Sequence, residues 1–488
     1  MKTQNNLLAS ILLTAGIISA PIISYAADSK ELEDLRAQIE ELKQSIKVID
    51  RKSELAEEAA LAKKKETPVV RASEDGFGFK SADGKNEIKF KALAQIDYRN
   101  YTDKSLDTAN IDGFDFRRIR PTIEGTLYGI YDFKFTPEFG ENKTSGVLPT
   151  SDPTKIKSNT DSGIVDAFID ARFKSWFQIR AGKFKPYVGL ERLQSGSDIK
   201  FIERSYVSNN ILPNRDIGLS VHGDILDNKL TYAVGVFNGV VDGGDNVTSQ
   251  DYNSDKEYTA RVFTTPFKGA DSFFESLGFG LSGTHGNFNG TILSGNTNTN
   301  GLPTYKTPGQ QSSFFTYDAS TVANGNRTRW SPQAYFYNGP FGFIAEYASV
   351  SQAVKNGSAT DTLNNNAWQV AGSWLLTGEN ASFKGVKPKN VFNPDGAGWG
   401  ALELVARYQE NNIDDKAFAN GFASSATYNS KSAQSWAIGA NWYLSQNVKV
   451  AADYEDTSFV LGGTKSATGG SSDRPNERTL FTRLQLSY

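Results

Sequence analysis

The chain has 488 residues, carries 52 Lys and Arg against 55 Asp and Glu for a formal net charge of −3, and contains no cysteine. Because nucleic-acid-binding domains are usually strongly basic, this balance argues against a nucleic-acid partner. The lack of cysteine excludes disulfides, thiolate metal sites and cysteine catalysis. Aromatic residues at 12% and 44 glycines suit a membrane β-barrel with aromatic girdles, many turns and a wet lumen.

Residues 1–26 are predicted to be a cleavable export signal. Lys2 precedes an apolar run from Leu7 to Ile18, and Ser24-Tyr25-Ala26 is a small-x-small cleavage site. Further along, no apolar run reaches the roughly 18 residues that a membrane-spanning helix needs. Any membrane residence of the mature chain must therefore use strands.

Residues 27–66 are predicted to form a periplasmic coiled-coil helix. Apolar residues recur there at spacings of 3, 4, 3, 4 and 3 among charged neighbours, which is the a/d seam of a coiled coil. An amphipathic helix lying on the barrel is the alternative. Residues 67–76, with Pro68 and Asp75-Gly76, are predicted as a linker into a barrel over residues 77–488. The seam consists of Leu32, Leu35, Ile39, Leu42, Ile46 and Ile49.

From Glu87 onward, sixteen segments alternate between apolar and polar residues. This period of two predicts strands with one face toward lipid and the other toward water. The last segment ends on the aromatic Tyr488, as expected of a closing barrel strand. The segments are 87–98, 116–127, 131–139, 164–173, 177–183, 217–224, 229–237, 257–264, 279–285, 330–337, 341–350, 367–376, 401–409, 435–443, 448–456 and 479–488.

The connections between these segments alternate in length. Those after odd-numbered segments are long, including 184–216 and 351–366, whereas most of those after even-numbered segments are tight. Long outer loops and short inner turns are typical of even-stranded bacterial barrels. Two inner connections, 265–278 and 377–400, are longer than this rule expects. The fold class predicted is all-β: a sixteen-stranded antiparallel transmembrane β-barrel in contact with outer-membrane lipid.

The chain offers little for catalysis. Its two histidines, His222 and His285, lie on different predicted strands, without a motif that pairs a base with a nucleophile. An outer-membrane lipase would have to use Ser282 with His285, but residues three apart face opposite sides of a strand. We therefore expect no enzymatic activity, no metal site and no cofactor.

Basic residues recur on strand positions that the alternation places inside the barrel. A charge that faces mid-bilayer lipid costs about 2–4 kcal/mol, so these residues are expected to line the lumen. There they either set ion selectivity or pair with neighbouring carboxylates. They are Arg118, Arg120, Arg180, Arg261, Arg407, Lys449 and Arg483.

The third long connection, from Phe184 to Arg215, is rich in aromatic and apolar residues and is predicted to fold inward as a constriction. It holds five basic residues against three acidic ones, hence a charge of +2 in a chain that is net negative. Inside a low-dielectric pore this excess attracts anions. The basic residues are Lys185, Arg192, Lys200, Arg204 and Arg215.

Several runs form motifs that occur in order from about Ile88 to Tyr488. They include Ile179-Arg180-Ala181-Gly182-Lys183-Phe184-Lys185-Pro186-Tyr187-Val188-Gly189-Leu190, Phe201-Ile202-Glu203-Arg204-Ser205 and Asn214-Arg215-Asp216-Ile217-Gly218. These motifs resemble the phosphate-selective porin O and P family. The resemblance implies a sixteen-stranded trimeric porin whose third loop folds into each pore. It also implies an arginine ladder and a lysine cluster that conduct phosphate or pyrophosphate, at matching positions Arg118, Arg120, Arg180, Lys183 and Lys185.

We therefore predict a homotrimeric porin of the bacterial outer membrane for passive diffusion of small anionic solutes, with phosphate or polyphosphate as candidates. The constriction loop departs from the family's usual Pro-Phe-Gly by having Pro186-Tyr187-Val188-Gly189. The alternatives are a general, weakly selective porin and a structural outer-membrane protein tethered through its coiled coil.

Overall fold

The structure is a computed structural model that describes residues 29–73, 76–102, 110–140, 163–241, 254–292, 300–424, 429–462 and 474–488. The chain divides into two units, Met1–Thr67 and Pro68–Tyr488. The predicted export signal, residues 1–26, lies outside the described residues.

The described part of the first unit is a helix, α1 (Ser29–Glu66), of 38 residues. The six apolar residues of the predicted seam are 48% to 64% exposed. Because an a/d seam is buried only by a partner helix, the coiled coil stays a prediction. Within the described residues, no helix is both long and apolar enough to cross a bilayer.

The second unit begins with a hairpin, β1 (Val69–Ser73) and β2 (Gly76–Lys80). Sixteen strands of the described residues then form a closed antiparallel ring in chain order. They are β3 (Glu87–Tyr101), β4 (Gly113–Leu127), β5 (Tyr131–Glu138), β6 (Gly163–Lys174), β7 (Phe177–Phe184), β8 (Asp216–Ile225), β9 (Leu230–Phe237), β10 (Glu257–Thr264), β11 (Gly278–Asn289), and, after the small hairpin of β12 (Tyr305–Lys306) and β13 (Ser313–Phe315), β14 (Thr321–Asn338), β15 (Phe341–Asn356), β16 (Ala359–Leu375), β17 (Ala401–Asn412), β18 (Ser430–Tyr443), β19 (Val448–Leu461) and β20 (Glu477–Ser487).

The ring closes where β20 pairs with β3 over Leu93 to Tyr101. The amide of the terminal residue, Tyr488, donates to the Ala92 carbonyl at 2.9 Å, and its ring packs on Phe77 at 4.9 Å. The predicted closing role of the last strand is thus confirmed, as is the barrel of sixteen antiparallel strands.

The segment predicted as a linker, residues 67–76, contains β1. The strand β3 extends beyond the end of β20, which would leave one edge of its first residues unpaired. There β2 continues the sheet, with Phe77 opposite Phe90, and β1 pairs with β2. Pairing an otherwise open edge is the physical reason that this segment is a hairpin.

The strand faces follow the predicted alternation. In β17, Glu403, Arg407 and Gln409 are buried, whereas Leu404 and Tyr408 on the other face are each 41% exposed. Aromatic pairs lie across neighbouring strands on the outer face, as expected of a girdle at a membrane interface. Their ring centroids are 5.1 to 5.5 Å apart in Trp330–Tyr347, Trp368–Tyr408 and Trp436–Tyr454.

One predicted outer loop, 351–366, was wrong. Strand pairing continues between β15 and β16 up to Asn356 opposite Ala359, so that a two-residue turn at Gly357, with φ of +59°, joins them. Where β15 and β16 extend beyond the bilayer, their outward-facing side chains no longer have to be apolar. The alternation of apolar and polar residues that predicts a strand is therefore lost there. By contrast, the inner connection between Leu375 and Ala401 is as long as the sequence indicated.

The largest apolar core of the described residues is built from the connections on the outer side and the adjoining wall. A π-helical turn (Val207–Ile211) in the third connection, the β12–β13 hairpin and a short helix, α2 (Lys416–Ala419), meet side chains of β15 and β16. Its fully buried members include Phe314, Phe315, Phe422, Val354 and Leu363. These connections therefore pack on the barrel wall through an apolar core of their own.

Candidate functional site

The strand β4 directs three arginines to the inside of the barrel. The register with β3 shifts so that Gln95 pairs with Arg118 while Ile96 pairs with Phe116. Arg117 is therefore the extra residue of a β-bulge, and its side chain turns to the same side as that of Arg118. Arg117 and Arg118 are 8% and 0% exposed.

The sequence argument missed Arg117. The signal was present, because strict alternation across two consecutive arginines would have put one of them in lipid. Arg118 and Arg120, the two arginines of β4 that the sequence did predict, are bonded to polar side chains. Arg118 donates to Gln95 Oε1 at 2.7 Å, and Arg120 donates to Glu138 Oε2 at 2.5 Å.

Arg180, on β7, is held against the wall and is 24% exposed at its side chain. Its Nη2 donates to Asp170 Oδ2 on β6 at 2.6 Å. The guanidinium carbon lies 4.3 Å from the Phe168 ring centre, with the rings of Phe184 and Tyr187 at 5.5 and 5.6 Å. Arg180 is thus a partly accessible cation inside an aromatic frame.

The alternation of β7 breaks at Gly182, which has φ of +127°. A Cβ there would lie 2.2 Å from the Ala167 carbonyl oxygen, so the close approach of β6 requires glycine. Ala181 is exposed, whereas the next two side chains, Lys183 and Phe184, are both buried. The backbone at Gly182 therefore lets Lys183 leave the lipid face.

Lys183 and Lys185 belong to a basic cluster at the start of the third connection. Lys183 lies within electrostatic reach of Arg215 and Asp166. The Lys185 ammonium donates to the Gln194 carbonyl at 2.6 Å, and Arg204 Nη2 donates to the same oxygen at 2.8 Å. We name Lys183, Lys185, Arg204 and Arg215 the lysine–arginine cluster.

Burial, followed by the charges of Arg215 and Arg204, lowers the pKa of Lys185 well below its ordinary value, and Asp166 opposes this only in part. Arg215 Nε donates to Asp166 Oδ1 at 2.8 Å. Two like charges therefore crowd Lys185, while Asp166, which opposes them, is already bonded to Arg215. The cluster has an excess of positive charge.

The third connection, residues 185–215, bonds to side chains on distant strands. The Leu190 amide donates to Glu346 of β15 at 2.6 Å, and the Ile202 amide donates to Asp453 of β19 at 2.6 Å. The Tyr206 amide donates to Gln409 of β17 at 2.8 Å. None of these strands neighbours β7 or β8, which this connection joins.

Glu203 and Lys200 extend these contacts. Glu203 accepts from Arg99 at 2.8 Å and from Arg117 at 2.6 Å. Although burial opposes ionisation, the guanidinium groups of Arg117 and Arg99 hold the pKa of Glu203 far below its usual range. Lys200 pairs with Glu403 of β17 at 2.8 Å.

Arg192 holds the third connection together. It is 0% exposed, and its Nη2 donates to the Ser208 carbonyl and to Asn209 Oδ1. The sequence argument expected it to line the pore, but its donors are directed into the connection itself.

Of the four other predicted lumen charges, two meet carboxylates of the wall, and Arg261 donates to Gln333 Oε1 at 3.0 Å. Arg483 Nε and Nη2 donate to the two oxygens of Asp97 at 2.6 and 2.7 Å, and Arg407 lies 3.4 Å from Glu455. Lys449 instead donates to the Ile199 carbonyl at 3.1 Å. For these positions, pairing within the protein is what the structure shows. Of the predicted cations, Lys183, Lys185, Arg204 and Arg215 lie together around the start of the third connection. Arg180 packs on Phe184 and Tyr187 of the same stretch of chain.

Comparison with known proteins identifies the family. The sequence profile described as "Phosphate-selective porin O and P" matches residues 88–487. The chain belongs to the phosphate-selective porin O and P family. Porin O of Pseudomonas aeruginosa is 24% identical over 438 residues, which cover 86% of this chain and 92% of that protein.

Among solved structures, the outer membrane channel DcaP of Acinetobacter baumannii is 11% identical, covers 84% of this chain and 99% of its own, and has a TM-score of 0.48. An anion-selective porin from Comamonas acidovorans is 10% identical, covers 83% and 100%, and has a TM-score of 0.47. Family membership and the closed barrel make the protein a multi-pass β-barrel of the bacterial outer membrane. The family and the fold are those of a channel rather than an enzyme.

Proposed function

We propose that the protein is a passive channel for small anionic solutes with phosphate-like chemistry, and that the lysine–arginine cluster is where these anions are selected. The observation that carries the proposal is the excess of positive charge in this cluster beside Arg180. In a narrow pore with low-dielectric walls, such an excess concentrates anions and repels cations. The family, phosphate-selective porin O and P, supports this solute class.

The proposal includes the third connection as the constriction, folded into the lumen. Its partners on β17 and β18 lie about halfway around a ring of sixteen strands from β7 and β8. Gln409 of β17 accepts from the Tyr206 amide, and Asn441 of β18 donates to the Lys200 carbonyl at 2.8 Å. A chain segment that reaches side chains of the opposite wall from two adjacent strands has its shortest path through the interior.

A homotrimer completes the proposal. The exposed a/d seam of α1 supports a coiled coil between copies of the chain. Family membership does not favour a general, weakly selective channel or a purely structural protein.

The test is conductance of the purified protein in planar bilayers. Reversal potentials across a potassium chloride gradient are expected to report preference for chloride over potassium, and added phosphate is expected to block part of the chloride current. The absence of a pore, or a preference for cations, would contradict the proposed function.

A further inference from the structure

His222 is buried beside the accessible Arg180 and shares its counter-ion. Its Nε2 lies 3.1 Å from each carboxylate oxygen of Asp170, the group that accepts two hydrogen bonds from Arg180. Its ring lies 5.0 Å from that of Tyr187, which also packs on Arg180. The Asp170 carboxylate is therefore shared by Arg180, which is always a cation, and by His222, which becomes a cation when it gains a proton.

The charged and titratable groups recorded around this imidazole come from three elements. They are Asp170 of β6, Arg180 of β7, which shares Asp170, and Tyr187 of the third connection. On its own strand, Asp224 lies two residues away, and Arg261 of β10 is within electrostatic reach of Tyr187. Opposite His222 are Gln178 on β7 and Ala233 on β9, both uncharged.

The protonation state of His222 decides the charge of this group. With a neutral imidazole, the +1 of Arg180 and the −1 of Asp170 cancel. With a protonated imidazole, the same three side chains carry +1. The proton also makes His222 a charged competitor for Asp170, which weakens the neutralisation of Arg180.

We infer that His222 is a positioning residue for anion selectivity: by holding Asp170, it sets how much of the positive charge of Arg180 the lumen experiences, and its protonation strengthens anion preference in mildly acidic solution. This inference rests on the proposed anion channel and adds a residue that the sequence argument left without a role. Histidine is the side chain whose charge ordinarily changes between about pH 5 and pH 8, so the test compares solutions across that range.

The size of the effect follows from one added unit charge. At about 4 Å and with screening close to that of bulk water, such a charge changes the occupancy of a monovalent anion roughly fivefold, and at twice this distance roughly twofold. We therefore expect the chloride-to-potassium permeability ratio to rise between twofold and fivefold on acidification.

The experiment measures reversal potentials of the full-length protein in potassium chloride from pH 7.5 to pH 5.5. Chloride is the probe because phosphate changes its own charge over this range. His222→Gln keeps a side-chain N–H for Asp170 but cannot gain a charge. The matched control is His285→Gln, because the chain has only two histidines and His285 is exposed and bonded to Thr328 at 2.9 Å.

The wild-type protein and His285→Gln are expected to show the same rise, and His222→Gln is expected to lose the part that belongs to the imidazole. Carboxylates elsewhere also gain protons, so the relevant quantity is the difference between wild type and His222→Gln. If His222→Gln gives no folded barrel, His222→Asn takes its place. A flat wild-type profile, or an equal rise in the folded His222 variant, would overturn the inference while leaving an anion channel intact. A lack of anion preference at every pH would instead remove the proposed function.

Discussion

Replacing Lys183 and Lys185 together by glutamine should strongly reduce anion selectivity. The two ammonium groups belong to the lysine–arginine cluster, and Lys185 is close to Arg215 and Arg204. Glutamine removes both charges and, at position 185, retains an N–H donor for the Gln194 carbonyl, which the lysine bonds at 2.6 Å. The change therefore acts mainly on charge.

The magnitude follows from the distance between an ammonium group and a passing anion. At about 4 Å, one unit charge contributes about 1 kcal/mol with the screening of bulk water and about 4 kcal/mol with the screening typical of a protein surface. The lower value for a single lysine already corresponds to roughly a fivefold change in anion occupancy. We expect the chloride-to-potassium permeability ratio of the double variant to fall at least about fivefold.

The assay is the reversal potential in a potassium chloride gradient at neutral pH, together with block of the chloride current by phosphate, which should weaken. Lys416→Gln is the matched control, because Lys416 is an exposed lysine of α2 that pairs with Asp361 at 3.0 Å. It should leave the ratio unchanged. An unchanged ratio in a folded double variant would place both lysines outside the conduction path and refute their assignment.

Three further results are expected. Because burial and the neighbouring arginines lower the pKa of Lys185, its charge is present below that pKa and is lost as pH rises through it. In an alkaline titration, anion preference should therefore begin to fall at a lower pH in the wild-type protein than in Lys185→Gln. Gly182→Ala should destabilise the barrel by roughly 1–3 kcal/mol, since the new Cβ would lie 2.2 Å from the Ala167 carbonyl oxygen. The control is Gly372→Ala, because the atom nearest to a Cβ at that position is 3.9 Å away. Thermal unfolding compares the two variants, and equal stability would contradict the prediction. Polar substitutions of the α1 seam residues Leu35, Ile39 and Leu42 should lower the temperature at which trimers dissociate in detergent, without changing conductance. An altered conductance would mean that the helix reaches the lumen.

Much of the barrel could be predicted from the sequence because its signals are local. Lipid on one side and water on the other impose alternation on every strand, and this alternation appears within a few residues of chain. In β17, for example, buried Glu403 and Arg407 alternate with exposed Leu404 and Tyr408. Where the bilayer ends, the constraint ends too. For this reason the strand extensions that replace the predicted loop 351–366 had to be read from the structure.

The sequence by itself determined the number of barrel strands, the closing role of the last one and the family, since each depends on a pattern along the chain. Only the tertiary structure decided which lumen charges are neutralised, because ion pairs form between residues brought together by closure. Arg483 and Asp97 are 386 residues apart and meet only because β20 pairs with β3. The inward turn of Arg117 depends in the same way on the register between two strands, and the link between His222 and Arg180 depends on a carboxylate supplied by a third strand.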